Sequence, residues 1–139
     1  MRRPELLIFL LLSCFSLDAQ DTGSVKYESL DPYYFHLEYL KDDSSLLVDV
    51  REFFEYRRNR IQDAVNIPSS RYLNKAADTL SKSYSLFLYC TDGWRSKRAL
   101  ELFYDRGFRK LYNLEGGLQA WRREDYPIEK KNLPRRKKL

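Results

Sequence analysis

One stretch of the chain decides the fold: residues 84–104 are YSLFLYCTDGWRSKRALELFY. Tyr84–Tyr89 is a short run of aromatic and aliphatic side chains, which is typical of a buried strand. In Arg95–Tyr104 the apolar residues recur at helical spacing, and Gly107 follows as a residue that commonly ends a helix. The stretch therefore predicts a strand, a loop that begins at Cys90, and a helix.

Strands and helices alternate on both sides of this stretch. Three further apolar runs predict strands, at Leu46–Val50, Ala64–Ile67 and Leu111–Leu114. Four further segments show a helical pattern. The first is capped by Asp31 and has Pro32 in its first turn, and the others are Glu52–Arg60, residues 70–80, and Leu118–Arg123. This order predicts an α/β fold with a mostly parallel central sheet and helices on both faces. Such sheets bind ligands in the loops that leave the carboxyl ends of their strands, and Cys90 lies in such a loop.

The loop itself favours a reactive cysteine. Cys90 is followed by Thr91, Asp92, Gly93, Trp94, Arg95 and Ser96. The glycine lets the chain turn back, so that backbone N–H groups converge at the start of the helix, where they bind anions and favour the thiolate form of a cysteine. Arg95 adds a positive charge. The alternative is a buried, inert thiol, and since Cys90 is the sole cysteine of the predicted domain, an internal disulfide is excluded.

The residues of this loop match the pattern Cys-x-x-Gly-x-Arg-Ser at Cys90, Gly93, Arg95 and Ser96. In this the chain resembles the active-site loop of single-domain rhodaneses. Three other segments share the resemblance, which are Leu47–Tyr56, Ala64–Pro68 and Leu114–Trp121. It therefore covers residues 27–128, and the departure is Asn59–Ala64, which lacks the His and the Gly of the family pattern Gly-His-Ile-x-Gly-Ala.

The resemblance implies a sulfurtransferase. In that chemistry the Cys90 thiolate takes the outer sulfur of a donor such as thiosulfate, holds it as a persulfide, and passes it to a thiol or to cyanide. The N–H groups from Thr91 to Ser96 would stabilise the anionic sulfur. No metal and no organic cofactor is implied, and the expected partners are a small sulfur donor and a thiol acceptor.

Other side chains receive supporting roles. Arg95 is expected either to face the bound anion or to pair with Asp92 or Asp49. We expect Asp49 and Arg51 to brace the neighbouring loop by charge-assisted hydrogen bonds. Trp94 is expected either to line the mouth of the pocket or to pack on a neighbouring helix. The single histidine, His36, is interpreted as an ordinary residue of the first helix.

Two rival functions stay open. Phosphatases and arsenate reductases of the same fold place five residues between the cysteine and the arginine, whereas four lie between Cys90 and Arg95. A smaller loop fits a single sulfur atom better than a phosphate. The other rival is a non-catalytic module that binds a partner or senses redox state.

The beginning of the chain predicts export. Arg2 and Arg3 precede the apolar run Leu6–Leu12, so residues 1–19 resemble an export signal. One processing site is a lipobox at Leu11–Cys14, after which Cys14 is acylated and tethers the protein to a membrane; the other is a signal-peptidase site at residues 17–19. In a third interpretation Cys14 is simply an apolar residue of the signal. We expect an exported, periplasmic or membrane-anchored lipoprotein of a bacterium.

The remaining boundaries follow from composition. The chain is 43% hydrophobic and 32% charged and has no long apolar tract, which indicates one globular domain and argues against disorder. Residues 20–26 are predicted to be a linker, 27–128 the domain, and 129–139 a basic flexible tail with six basic residues against Glu129. The tail is either a solvated chain end or a contact for anionic lipid, another protein or nucleic acid. We expect a monomer with no nucleic-acid partner.

Overall fold

The computed structural model describes residues 25–68 and 70–130. The predicted export signal, Cys14, most of the linker and residues 131–139 of the basic tail lie outside the described residues, so these expectations stay predictions. No helix within the described ranges is long and apolar enough to cross a membrane.

In chain order the elements are β1 (Glu28–Leu30), α1 (Pro32–Lys41), β2 (Ser45–Asp49), α2 (Phe53–Arg58), β3 (Asn59–Arg60), β4 (Val65–Asn66), α3 (Ser70–Thr79), β5 (Ser85–Tyr89), α4 (Trp94–Asp105), β6 (Leu111–Leu114), α5 (Gly117–Arg123) and β7 (Glu129–Lys130).

Five of the strands form one sheet in the order β1-β6-β5-β2-β4, and every pair in it is parallel. The predicted α/β class with a mostly parallel sheet is therefore confirmed. β5 lies at the centre of the sheet, and all five of its residues are buried. Because parallel strands are covered on both faces, such a central strand is apolar throughout and not alternating.

Helices cover both faces of the sheet. On one face Leu86 and Leu88 of β5 pack in a core cluster with Leu100 and Phe103 of α4 and with α3. On the other face Phe87 belongs to a cluster with residues of α1 and α5. The strand that precedes Cys90 is thus fixed from both sides.

A small second sheet joins two places that the sequence did not predict to be strands. β3 pairs antiparallel with β7, with Asn59 opposite Lys130 and Arg60 opposite Glu129. The helix predicted for Glu52–Arg60 therefore ends two residues early, at Arg58, and Glu129 and Lys130 belong to a strand although they were assigned to the tail. The reason is tertiary: Arg60 forms an ion pair with Glu129, which holds the chain extended after α2.

The turn that departs from the family pattern contains a residue with a left-handed backbone conformation. Asp63 stands where the pattern has its second glycine and has φ 63°. For a residue with a Cβ this conformation costs about 1–2 kcal/mol, less for Asp than for most. The turn therefore uses a conformation that glycine adopts more readily than aspartate.

Replacing this residue by glycine should stabilise the protein. We expect Asp63→Gly to raise the free energy of unfolding by about 0.5 kcal/mol. The strain energy that glycine relieves in the left-handed conformation exceeds the cost of its greater conformational entropy in the unfolded chain. Asp63→Ala removes the same carboxylate but keeps the Cβ, so it should not stabilise. Urea denaturation of both variants measures the difference, and equal stabilities would contradict the strain argument.

Candidate active site

The sulfur of Cys90 lies at the carboxyl end of β5, where α4 begins. Cys90 is fully buried. Its Sγ accepts a hydrogen bond from the Gly93 N–H at 3.1 Å. Gly93 caps α4 with φ 96°, a conformation that residues with a side chain rarely adopt. The left-handed turn is what directs this N–H at the sulfur.

A second glycine holds the loop against α5. A Cβ on Gly117, which has φ 57°, would lie 2.5 Å from the Cys90 carbonyl oxygen and 2.6 Å from the Asp92 nitrogen. The close approach allows the Leu118 N–H to donate to the Cys90 carbonyl at 2.8 Å and the Gln119 N–H to the Thr91 carbonyl at 3.0 Å. The loop is thus fixed between the starts of α4 and α5.

Ser96 approaches the same sulfur from the first turn of α4. Its Oγ lies 3.6 Å from the Cys90 Sγ and 2.6 Å from Oδ1 of Asn113. Asn113 is fully buried in β6 and in turn donates to the Ser29 hydroxyl. Sequence reasoning missed Asn113, although an amide inside the otherwise apolar strand Leu111–Leu114 is the signal that could have found it. Ser96 is therefore oriented by a partner from the neighbouring strand.

Asp92 occupies another part of the loop. Its Oδ1 accepts the Trp94 N–H at 3.0 Å and lies 3.5 Å from the Cys90 Sγ, which donates to it as a thiol. The hydrogen bond from Trp94 is the largest cause that holds the pKa of Asp92 below its ordinary value. The loop N–H groups are therefore divided between two acceptors, since Gly93 donates to the sulfur and Trp94 to this carboxylate.

Arg95 forms an ion pair with a residue that was not expected. Its guanidinium donates to Glu55 through Nη1 at 2.9 Å and Nη2 at 3.1 Å, and Nη2 also donates to the Thr91 hydroxyl at 3.0 Å. The expected pairing with Asp92 or Asp49 was wrong, because Asp92 accepts the backbone N–H described above and Asp49 is taken by another arginine. The hydrogen bonds that Arg95 donates to Glu55 are the largest cause that raises the pKa of Arg95, and the Cys90 sulfur contributes less.

The same ion pair acts on the carboxyl group of Glu55. Chiefly through its hydrogen bonds with Arg95, the pKa of Glu55 is lowered from 4.5 to about 2. A group whose pKa is depressed in the folded state contributes stability above its unfolded value, and that contribution is lost as the pH falls through the folded value. The window for Glu55 therefore extends from pH 4.5 down to about 2.

Removing the charge of Glu55 should abolish this pH dependence. We expect Glu55→Gln to lower the free energy of unfolding by about 1 kcal/mol near neutral pH, since the Arg95 guanidinium loses its charged partner. The difference in the free energy of unfolding between the variant and the wild type should narrow as the pH falls below 4.5. Denaturant titrations across this range measure it, with Glu115→Gln at an exposed site as the control. A gap that stays constant down to the acid end would refute the role of the ion pair.

Asp49 and Arg51 form a buried brace. Arg51 donates to the Asp49 carboxylate through Nε at 3.0 Å and Nη2 at 2.6 Å, and Nη2 also donates to the Asn59 carbonyl at 2.6 Å. The pair therefore ties the end of β2 to β3. Sequence reasoning also missed Tyr89, whose hydroxyl accepts a hydrogen bond from the Ile61 N–H at 3.0 Å. Burial, and secondly the nearby Asp49, raise the pKa of Tyr89 far above its ordinary value.

The hydroxyl of Tyr89 can be tested by its removal. Tyr89→Phe should lower the free energy of unfolding by about 1–3 kcal/mol, because the buried Ile61 N–H is left without an acceptor. Tyr112→Phe is the matched control, since the Tyr112 ring stacks on Phe87 at 4.4 Å and its hydroxyl makes no hydrogen bond to a described residue. Thermal and urea unfolding compare the two variants. Equal losses would show that the hydroxyl of Tyr89 stabilises nothing.

Trp94 and His36 are the remaining aromatic residues that sequence reasoning considered. Trp94 is 62% exposed, and the Arg98 guanidinium lies 5.1 Å from its ring centroid. It lines the rim of a cavity between α3 and α4, so it is a surface residue beside the loop. His36 is half-buried in α1, and its ring stacks on Trp121 and Tyr126, which also contact each other.

Comparison with known proteins agrees with this geometry. The family model described as rhodanese-like domain matches residues 36–124, more than half of the chain. A tRNA uridine(34) hydroxylase of Hamiltonella defensa is 34% identical over 102 residues, which cover 70% of this chain and 28% of that protein. An uncharacterized protein of Synechocystis is 37% identical over 95 residues, which cover 68% of this chain and 52% of that protein. The chain thus spans about half of the length of these curated relatives or less.

Solved structures show the same fold. The rhodanese-like domain of the Anabaena protein Alr3790 has a TM-score of 0.67 at 23% identity, over 80% of this chain and 87% of that one. The BH2092 protein of Bacillus halodurans has a TM-score of 0.64 at 28% identity, over 76% of this chain and 77% of that one. Fold and cysteine loop together define a rhodanese-like domain. The chain belongs to the rhodanese-like domain family, as the residues of its loop predicted.

Proposed function

We propose that this protein is a sulfurtransferase that carries a sulfane sulfur on Cys90. The observation that carries the proposal is the Gly93 N–H, which points at the Cys90 Sγ from a left-handed turn at the start of α4. A backbone N–H that is fixed in this direction stabilises negative charge on the sulfur without reorganisation. The Ser96 hydroxyl lies 3.6 Å from that sulfur; its single proton is directed at Asn113 Oδ1, so it donates to the sulfur only after the hydroxyl rotates.

The reaction has two balanced steps. The Cys90 thiolate attacks the outer sulfur of a donor; with thiosulfate, the donor S–S bond breaks and sulfite leaves with the electron pair. Cys90 then carries the transferred atom as a persulfide. A thiol acceptor, as its thiolate, next attacks this outer sulfur, and Cys90 leaves as a thiolate.

The charge of Asp92 bears on the choice of donor. Its carboxylate lies 3.5 Å from the Cys90 Sγ, so a dianionic donor such as thiosulfate approaches against a like charge. Because Cys90 is fully buried, transfer also requires side chains around the sulfur to move aside. A donor of lower charge, such as an alkyl persulfide, suits this loop better. Since the chain spans 28% of the Hamiltonella tRNA uridine(34) hydroxylase, the proposal rests on the loop and not on the activity of that relative.

Intact-mass spectrometry tests the proposal directly. After incubation with thiosulfate, and separately with a small alkyl persulfide, the wild-type chain should gain the mass of one sulfur atom and lose it on addition of cyanide. With Cys14 replaced by serine in both proteins, since it is the other cysteine of the chain, Cys90→Ser should gain none, because it lacks the attacking thiol. If the wild type gains nothing from either donor, the protein is not a sulfurtransferase.

The full burial of Cys90 favours a second candidate. In it the domain is a non-catalytic module that binds a partner through its surface, with Cys90 as an unreactive core residue. An inert, solvent-shielded thiol should then fail to react with iodoacetamide in the folded protein, whereas a sulfur carrier should be alkylated at Cys90. The same mass measurement reports both reactions.

A further inference from the structure

A groove lies beside the cysteine loop, between α2 and α5. Phe54 and Arg58 of α2 line one side, Gln119 and Arg122 of α5 line the other, and its volume is about 220 Å³. Thr91, which follows Cys90, also lines it. The groove therefore borders the loop that bears the reactive sulfur, whereas Cys90 itself is fully buried and does not line it.

The groove carries two positive charges that the fold does not neutralise. Of its ionisable side chains, Arg51 pairs with Asp49, and Glu55 pairs with Arg95. Arg58 and Arg122 are exposed, and neither forms an ion pair with a carboxylate in residues 25–68 or 70–130. They are thus available to an anionic ligand from outside the described chain.

The chemistry of the lining selects the kind of ligand. A guanidinium binds a carboxylate through two parallel hydrogen bonds. Phe54 is 72% exposed and offers an apolar contact next to these charges. On the side of the sulfur, the Asp92 carboxylate disfavours negative charge. A matching ligand therefore carries its carboxylates several bonds away from its own sulfur.

We propose that this groove binds the carboxylates of the thiol acceptor and so presents its sulfur to the Cys90 persulfide. The inference rests on the proposed sulfurtransferase function. The acceptor is a thiol peptide in which carboxylates flank the cysteine. Such an acceptor is either a small free peptide or an acidic segment of a protein. The acceptor thiolate takes the outer sulfur, becomes a persulfide, and releases Cys90 as a thiolate, so that no oxidant or reductant is consumed.

Charge reversal in the groove tests the site. Glutathione serves as an acceptor with two carboxylates and 2-mercaptoethanol as an uncharged one. For Arg58→Glu and for Arg122→Glu, the KM for glutathione should rise about ten-fold, the effect of one lost charged hydrogen bond, while the KM for 2-mercaptoethanol stays unchanged. The matched control is Arg57→Glu, which makes the same charge change on α2 outside the groove lining. An equal effect of Arg57→Glu, or an equal rise for both acceptors, would overturn the proposal.

A binding measurement separates this inference from the proposed function. S-methylglutathione keeps both carboxylates but cannot accept sulfur. Calorimetry should show that it binds the wild type and the Arg57→Glu variant. It should not bind the double variant that combines Arg58→Glu with Arg122→Glu. This result supports the groove even if no persulfide ever forms on Cys90. If the wild type forms the persulfide yet binds no S-methylglutathione, the groove inference fails and the sulfurtransferase function stands. A third acceptor distinguishes the two sources of the thiol. If a cysteine peptide with acidic flanking residues has a lower KM than glutathione, the acceptor is an acidic segment of a protein.

Discussion

The contact between Gly117 and the loop after β5 is the constraint on which the site depends. At that point the backbones of two elements approach so closely that no side chain fits, since a Cβ on Gly117 would lie 2.5 Å from the Cys90 carbonyl. The approach satisfies two loop carbonyls with N–H groups of α5. With its carbonyls fixed in this way, the loop turns its own N–H groups toward the sulfur and the Asp92 carboxylate. A larger residue at 117 would push α5 away and with it one wall of the groove.

Electrostatics in the loop is balanced between competing groups. The Gly93 N–H favours negative charge on sulfur, whereas Asp92 accepts the next N–H and opposes it. Arg95 does not resolve the competition alone, because its charge is shared with Glu55. In a partly buried site each of these charges acts more strongly than it would in water. The charge that the sulfur experiences is therefore set by this balance and not by Arg95 alone.

The fold could be predicted from sequence wherever local signals and tertiary contacts agree. The run Tyr84–Tyr89 corresponds to β5, and Asp31 caps α1 as expected, accepting the Tyr34 N–H at 3.0 Å. β3 and β7 could not be found, because a two-residue ladder between segments about seventy positions apart leaves no periodic pattern. β1 is three residues long and mostly exposed, so its apolar signal is weak.

Within the site the local part was predictable and the distant part was not. Cys90, Gly93 and Ser96 follow from one contiguous motif. The partner of Arg95 lies forty residues earlier, on α2, whereas sequence reasoning considered only Asp92 and Asp49 for that role. Asn113 and Tyr89 act through buried hydrogen bonds, which depend on how strands and turns are placed side by side.

The ladder between β3 and β7 has a mechanical consequence. It attaches the chain at Glu129 and Lys130 to the segment immediately after α2, the helix that carries Glu55 and Arg58. A displacement of Glu129 and Lys130 would be transmitted through the ladder to α2. Because no residue of α2 is fully buried, the ion pair of Glu55 with Arg95 is one of the few contacts that would oppose this movement. The position of β7 would thereby influence the width of the groove.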